Sequence, residues 1–168
     1  MRTSREDDIA TLTRAPVFHL MHYDALRLFA FAGEHRTLRA GEVLFHEGDK
    51  CDGGFVVMRG AIVVAPPDGR EAFVAEPGAL IGQTALFSHT VRRGTATARE
   101  FSTVLRISLT LMRRVLQEFP SAAEAIQRSL SIELSMLCVG LEHVRQRLLE
   151  VDAPQFTSPQ EERAEARM

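Results

Sequence analysis

Residues 78–98 read GALIGQTALFSHTVRRGTATA. A Gly-bounded turn leads into the short apolar segment Thr84-Ala85-Leu86, and nine or ten residues after Gln83 come Arg92 and Arg93. This arrangement suits an anion. Beyond Gly82 the backbone can present several N–H groups at the start of a helical turn, and unpaired amides together with the helix dipole attract phosphate. An arginine returning to the same place adds a forked cationic donor that matches a pair of phosphate oxygens.

Around this stretch, residues 35–108 alternate short runs rich in Val, Ile, Phe and Thr with turn signals: Ala-Gly at 40–41, Glu-Gly-Asp at 47–49, Asp-Gly-Gly at 52–54, Arg-Gly at 59–60, Pro-Pro-Asp-Gly at 66–69 and Pro-Gly at 77–78. Strands are expected at His35–Leu38, Val43–His46, Phe55–Arg59, Ala61–Ala65, Glu71–Ala75, Thr95–Glu100 and Thr103–Ser108, with PPDGRE as a hairpin tip. Many short strands at this spacing imply a β-sandwich or jelly roll. Residues 1–15 are polar and read as a flexible N-terminus. Apolar positions Phe18, Leu20, Met21, Ala25, Leu26, Leu28 and Phe29 then follow a helical pattern ending near Gly33.

C-terminal to the strands, Leu109–Phe119 reads as a helix, and Pro120-Ser121 starts a longer one, with Ser121 and Glu124 in capping-box spacing. Leu130, Leu134, Leu137, Leu141, Val144 and Leu148 recur at alternating steps of four and three, the seam of a coiled coil. At about 1.5 Å per residue a helix over 121–150 spans about 45 Å, so part of its apolar face wants a partner, and a homodimer is expected there. Gly140 inside the seam weakens the helix. Residues 151–168 are polar and proline-broken and read as a disordered tail.

Length and charge restrict the function. The 168 residues are 45% hydrophobic and suit one globular domain, here 16–150. Net charge is −2 with no basic stripe, which argues against direct nucleic-acid binding. Cys51 and Cys138 stand far apart in no metal-binding or disulfide pattern. No apolar run reaches the length of about 18 residues that a membrane span needs, and the polar start is unlike a secretory signal, so a cytoplasmic protein is expected. His19, His22 and Asp24 on one helix read as ordinary surface residues rather than a metal site. A cupin-type metal centre requires further histidines that the isolated His46-Glu47 lacks, and no nucleophile–base signature is present. An enzyme is not expected, and neither is a cofactor or a metal.

The stretch 82–98 resembles the phosphate-binding cassette of the cyclic nucleotide-binding domain family, whose pattern is Gly-Glu, Ala-Leu, then Arg, a variable residue, Ala, and Thr or Ser. The segment LRAGEVLFHEGDKCDGGFVVMRGAIVV at 38–64 is similar to the family's first half, and the likeness extends over about residues 15–150. It implies a mainly β fold, a jelly roll or double-stranded β-helix with N-terminal helices and a long C-terminal helix. It also implies a ligand site at Ile81, Gly82, Gln83, Thr84, Ala85, Arg92, Arg93, Gly94 and Thr95. In the family the Glu accepts from the ribose 2′-OH, the Arg pairs with the cyclic phosphate and the turn supplies backbone donors. Here Gln83 replaces the Glu, and a neutral acceptor is worth about 1 kcal/mol less than a carboxylate. Counting back from the strand ATAREFSTVLRI assigns Arg92 to the phosphate, with Gly94 where Ala is usual; counting along the loop assigns Arg93.

The resemblance implies a regulatory protein that senses a cyclic nucleotide. Cyclic AMP is favoured over cyclic GMP, because guanine-preferring members carry Thr directly after the arginine. Leu137 and Cys138 of the long helix are then placed over the base, and the signal passes through helix rearrangement to an unidentified downstream protein. The alternative is a dimerisation or scaffold module whose pocket is empty or repurposed.

Overall fold

The computed structural model describes residues 5–67 and 69–151, and within 128–151 the side chains of residues 128–132, 134–136 and 141. The chain divides after Gln127 into two compact units. The first opens with helix α1 (Arg5–Leu12), a 3-10 turn (Phe18–Leu20) and helix α2 (Tyr23–Ala32). The strands follow: β1 (Glu34–Leu38), β2 (Val43–Phe45), β3 (Lys50–Cys51), β4 (Gly53–Arg59), β5 (Ile62–Ala65), β6 (Phe73–Ala75) and β7 (Leu80–Ile81). A second 3-10 turn (Gln83–Leu86) leads to β8 (Thr90–Val91), β9 (Thr95–Ala98) and β10 (Ser102–Ser108), then to α3 (Leu109–Glu118) and α4 (Pro120–Val151), which carries residues of both units.

All pairings are antiparallel. One sheet has the order β1-β10-β4-β7, a second β2-β9-β5-β6, and β3 pairs with β8. The expected jelly roll with flanking helices is the fold observed. Its interior is filled by Leu38, Leu44, Phe55, Val57, Ile62, Ala96, Ala98 and Val104 from both sheets. Strand β4 is buried from Gly53 to Met58 because both its faces are covered. Phe55 and Val57 point into the roll, and with period two Val56 and Met58 lie on the opposite face, where α1 packs. Sequence alternation could not show this, since a strand covered on both sides reads as a continuous apolar run.

Within the segment 1–15, expected to be flexible, the described part contains a helix. Arg5–Leu12 is helical and buries Ile9 and Leu12, and each such side chain contributes about 2 kcal/mol when withdrawn from water. The polar composition hid a helix only two turns long with one apolar edge. The helical pattern of 16–33 is also interrupted: Val17 takes φ 72°, and His22 is extended before α2 begins. An edge-to-face contact between Phe18 and Phe29, with centroids 5.2 Å apart, ties the two pieces together. The two-residue strands β3, β7 and β8 went unrecognised because two residues carry no period.

Helix α3 is capped by Ser108, whose Oγ accepts from the Leu111 N–H at 3.1 Å. Helix α4 starts at Pro120, a position where the missing N–H costs nothing, and buries Ala122 and Ile126 within the first unit. In the second unit Ile132, Leu134, Met136 and Leu141 are exposed. The side chains of the seam residues Leu137, Val144 and Leu148 and of the facing Cys138, and the whole of the tail 152–168, lie outside the described residues.

Asp8 of α1 is almost fully buried, and its Oδ2 meets His35 Nε2 of β1 at 3.0 Å, while Oδ1 has no partner among the described residues. Burial raises the Asp8 pKa; His35 opposes the rise and Asp7 adds to it. A carboxyl whose pKa is raised by folding binds more protons in the native state, so stability falls as pH rises from the ordinary carboxylate range through the raised value. Thermal unfolding of Asp8→Asn, with a neutral amide in the same place, should lack this component. The parent is expected to lose melting temperature relative to Asp8→Asn on going from pH 4 to pH 7, and parallel curves would contradict the assignment.

Candidate functional site

The turn after β7 is set by Gly82, which sits in the left-handed region at φ 79° and ψ 43°. Residues Gln83–Leu86 then form a 3-10 turn closed by the Ala85 N–H on the Gly82 carbonyl at 3.0 Å. Ala85 and Leu86 are buried and pin the turn to β4, where a Cβ on Gly54 would lie 3.2 Å from the Leu86 side chain. Four residues of 3-10 helix generate little dipole, so the positive potential here must come mainly from a side chain.

That side chain is Arg92. Its backbone is held to the Glu47–Asp49 turn by two bonds of 2.9 Å, Arg92 N–H to the Asp49 carbonyl and Gly48 N–H to the Arg92 carbonyl. From there the side chain turns inward, and the residue is 9% exposed. Nη2 donates to the Gly53 carbonyl at 2.8 Å. The guanidinium lies 4.4 Å from the Phe45 ring centroid and 5.1 Å from that of Phe55, and the two rings stack 6.0 Å apart. Nη1 is buried against Gly82 and has no partner among the described residues. Burial pulls the Arg92 pKa down, opposed first by Cys51 and then helped by Arg106, with Asp52 and Asp49 also acting against it. An arginine nevertheless stays charged in proteins. The result is a desolvated cation with one donor edge unused.

Exposure alternates along the segment: Val91 out, Arg92 in, Arg93 out, Gly94 in. Arg92 and Arg93 both line a cavity of about 430 Å³, Arg92 from within and Arg93 from an exposed position. Ile81, Gly82, Thr84, Ala85 and Gly94 line it too, so seven of the nine residues singled out from the sequence converge there. Gln83 and Thr95 do not line it. Gln83 is half-buried at the head of the turn, and Thr95 Oγ1 accepts from the Glu47 N–H at 3.2 Å. Gly94 replaces a larger residue because β9 starts against β5, where an added Cβ would stand 2.5 Å from the Ala65 carbonyl.

The remaining wall is mostly apolar, with Phe45, Val64, Phe73 and Leu80, and also carries Arg70, Glu71 and Thr90. Apolar walls with a few convergent polar groups, at this volume, characterise small-molecule sites. Phe45, Phe55 and the Gly53 carbonyl were not anticipated as supports for the arginine. They come from two strands, β2 and β4, which belong to different sheets and which only the closed roll brings together. Among the described residues no cluster of three or more His, Cys, Asp or Glu could hold a metal ion, and no helix is long and apolar enough to cross a membrane.

The sequence profile described as Cyclic nucleotide-binding domain matches residues 35–119, the whole roll with its cassette and α3. The chain belongs to the cyclic nucleotide-binding domain family. A cyclic nucleotide-binding-like protein from Brucella abortus bv. 1 str. 9-941 is 34% identical, covering 66% of this chain and 98% of that one, with a TM-score of 0.59. The N-terminal domain of a transcriptional regulator from Streptomyces coelicolor A3(2) is 30% identical, covering 76% and 94%, with a TM-score of 0.69. Lysophospholipase NTE1 of Chaetomium globosum is 30% identical over 111 residues, 64% of this chain. The chain spans only 7% of that protein's length, so the activity in its name is said of that protein alone. As a member of the family the chain is a regulatory domain of the cyclic nucleotide-binding type, a family described by a nucleotide ligand rather than a cofactor.

Gly82 is a position in this cyclic nucleotide-binding domain where a side chain is poorly tolerated. Gly82→Ala combines a left-handed backbone with a Cβ driven against Arg92 Nη1. Denaturant unfolding should show a loss of about 1–3 kcal/mol. A loss of only a few tenths would mean that the Gly82–Arg92 contact is slack.

Proposed function

We propose that the cyclic phosphate of the ligand binds between Arg92 Nη1 and the Gly82–Ala85 turn, with cyclic AMP preferred to cyclic GMP. The unpartnered, buried Nη1 against Gly82 carries this reading, because an anion there would supply the acceptor that the fold withholds. Ile81, Thr84 and Ala85 form the adjoining wall, and Gly94 leaves the opposite side open. Arg93 lies at the rim. Gln83 and Thr95 flank the cavity, and Gln83 offers an amide oxygen to the ribose hydroxyl where the family has a carboxylate. The base rests on the apolar wall.

The signal leaves through helices. The turn Gln83–Leu86 packs on α3, so a ligand that shifts the turn shifts the population of α3 positions. The output passes to a downstream protein in the cytoplasm, with no chemical step and no direct contact with nucleic acid. Residues 121–150 join two copies. Their exposed Leu134 and Leu141 belong to the coiled-coil seam read from the sequence. The replacement of Glu by Gln83, and its place outside the cavity wall, favour a second reading in which the pocket is unused and the chain is a dimerisation module.

Calorimetric titration with cyclic AMP and cyclic GMP separates the two readings. Arg92→Ala should weaken binding about 30- to 100-fold, the effect of about 2–3 kcal/mol for a charge-assisted bond. Arg93→Ala should change it by about twofold or less, as exposed charges do. Equal losses in both variants would refute the Arg92 assignment, and no binding by the parent would leave the scaffold reading.

The dimer is tested independently by Leu134→Lys combined with Leu141→Lys. Sedimentation velocity should show a parent dimer and a variant monomer with the melting of the roll preserved. A parent that stays monomeric at every concentration, or a variant that stays dimeric, would remove the interface.

A further inference from the structure

Cys51 is paired with Thr90 in the β3–β8 ladder and is 7% exposed, yet it lines the same cavity as Arg92. Cys51 therefore borders the ligand cavity while little of it is exposed. Arg92 is bonded to Asp49 through its backbone N–H and to Gly53 through Nη2, so its side chain runs alongside residues 50–52 and passes Cys51. The second observation at this place is the guanidinium itself, nine-tenths buried, its Nη1 beside Gly82 of the cavity lining and unpartnered among the described residues. Thiol and unused donor thus share one water-poor compartment.

We propose that Cys51 is a site of oxidation by hydroperoxides, and that the oxygen gained by its sulfur caps Arg92 Nη1 and closes the cavity to the phosphate of a cyclic nucleotide. The regulatory half of this proposal rests on the phosphate reading given above. The sulfur attacks one peroxide oxygen as its thiolate, the S–O bond forms and the O–O bond breaks. Sulfur loses two electrons, and the peroxide is reduced to water or an alcohol, whose oxygen takes the thiol's proton. A positive charge beside the sulfur stabilises the negative charge in transit during this attack. The product is a sulfenic acid whose oxygen accepts from Nη1, as a phosphate oxygen would. No second thiol lines the cavity among the described residues, so the sulfenic acid is not converted locally to a disulfide. A small thiol entering the cavity reverses the change through a mixed disulfide.

The test uses the full chain in a Cys138→Ser background, so that Cys51 is the one thiol present. Hydrogen peroxide is added, the sulfenic acid is trapped with dimedone and located by peptide mass spectrometry, and cyclic AMP and cyclic GMP are titrated before oxidation, after it and after dithiothreitol. Labelling of Cys51 is expected, with affinity reduced about tenfold or more by oxidation and restored by dithiothreitol. Cys51→Ala in the same background should show a ratio of oxidised to reduced affinity within about twofold of one. Absence of label on Cys51, or label with unchanged affinity, overturns the proposal. Should the reduced protein bind neither nucleotide, the phosphate reading fails by itself, and the labelling rate still judges the shared compartment. Arg92→Ala should then slow dimedone labelling about tenfold, and an unchanged rate would overturn the link between sulfur and guanidinium.

Discussion

Drawing a guanidinium out of water costs several kcal/mol, and the architecture around Arg92 is organised to offset that cost only in part. The Gly53 carbonyl takes one donor edge, and the faces of Phe45 and Phe55 take the planar cation. These partners require β2 and β4 to lie in one roll and β8 to be fastened to β3, so that the side chain leaves its backbone in the right direction. Gly82 has to lack a side chain for the same reason. What is left over is Nη1. An interior cation with an unfilled donor gives up stability in the empty protein and holds in reserve the affinity that an anion can recover.

The roll was legible because its strands are bounded by turns whose residues have specific geometric duties. The strand assignments from β1 to β10 fall within about two residues of those observed, apart from the two-residue strands, where pairing rather than composition creates the element. The cassette was legible for a similar reason. Gly82 takes the left-handed conformation at the Gly-bounded turn read from the sequence, and of the two arginines Arg92 is buried and Arg93 exposed. Illegible were the things made by tertiary approach. Phe45 and Phe55 are apolar strand residues like many others until a cation is laid across them, and Gly94 is an unexplained departure until the Ala65 carbonyl is seen beside it. The helix over Arg5–Leu12 escaped because its buried residues, Asp8 included, are few and one of them is charged.

The distance between sensing and response is short in this fold. Leu86, at the end of the ligand turn, is fully buried, and the turn packs on α3, whose Leu109, Met112 and Val115 are buried in turn. Close-packed interiors have little free volume to absorb a displacement, so a movement of the turn by a fraction of a side chain has to be accommodated by its neighbours. Helix α3 is one such neighbour, and Phe119 alone joins it to α4. Strand β4, whose Gly53 carbonyl holds the guanidinium, is hydrogen-bonded on both edges, to β10 and β7. Under the phosphate reading proposed above, an anion held between Arg92 and the turn would therefore load contacts that lead both into the sheet and into α3.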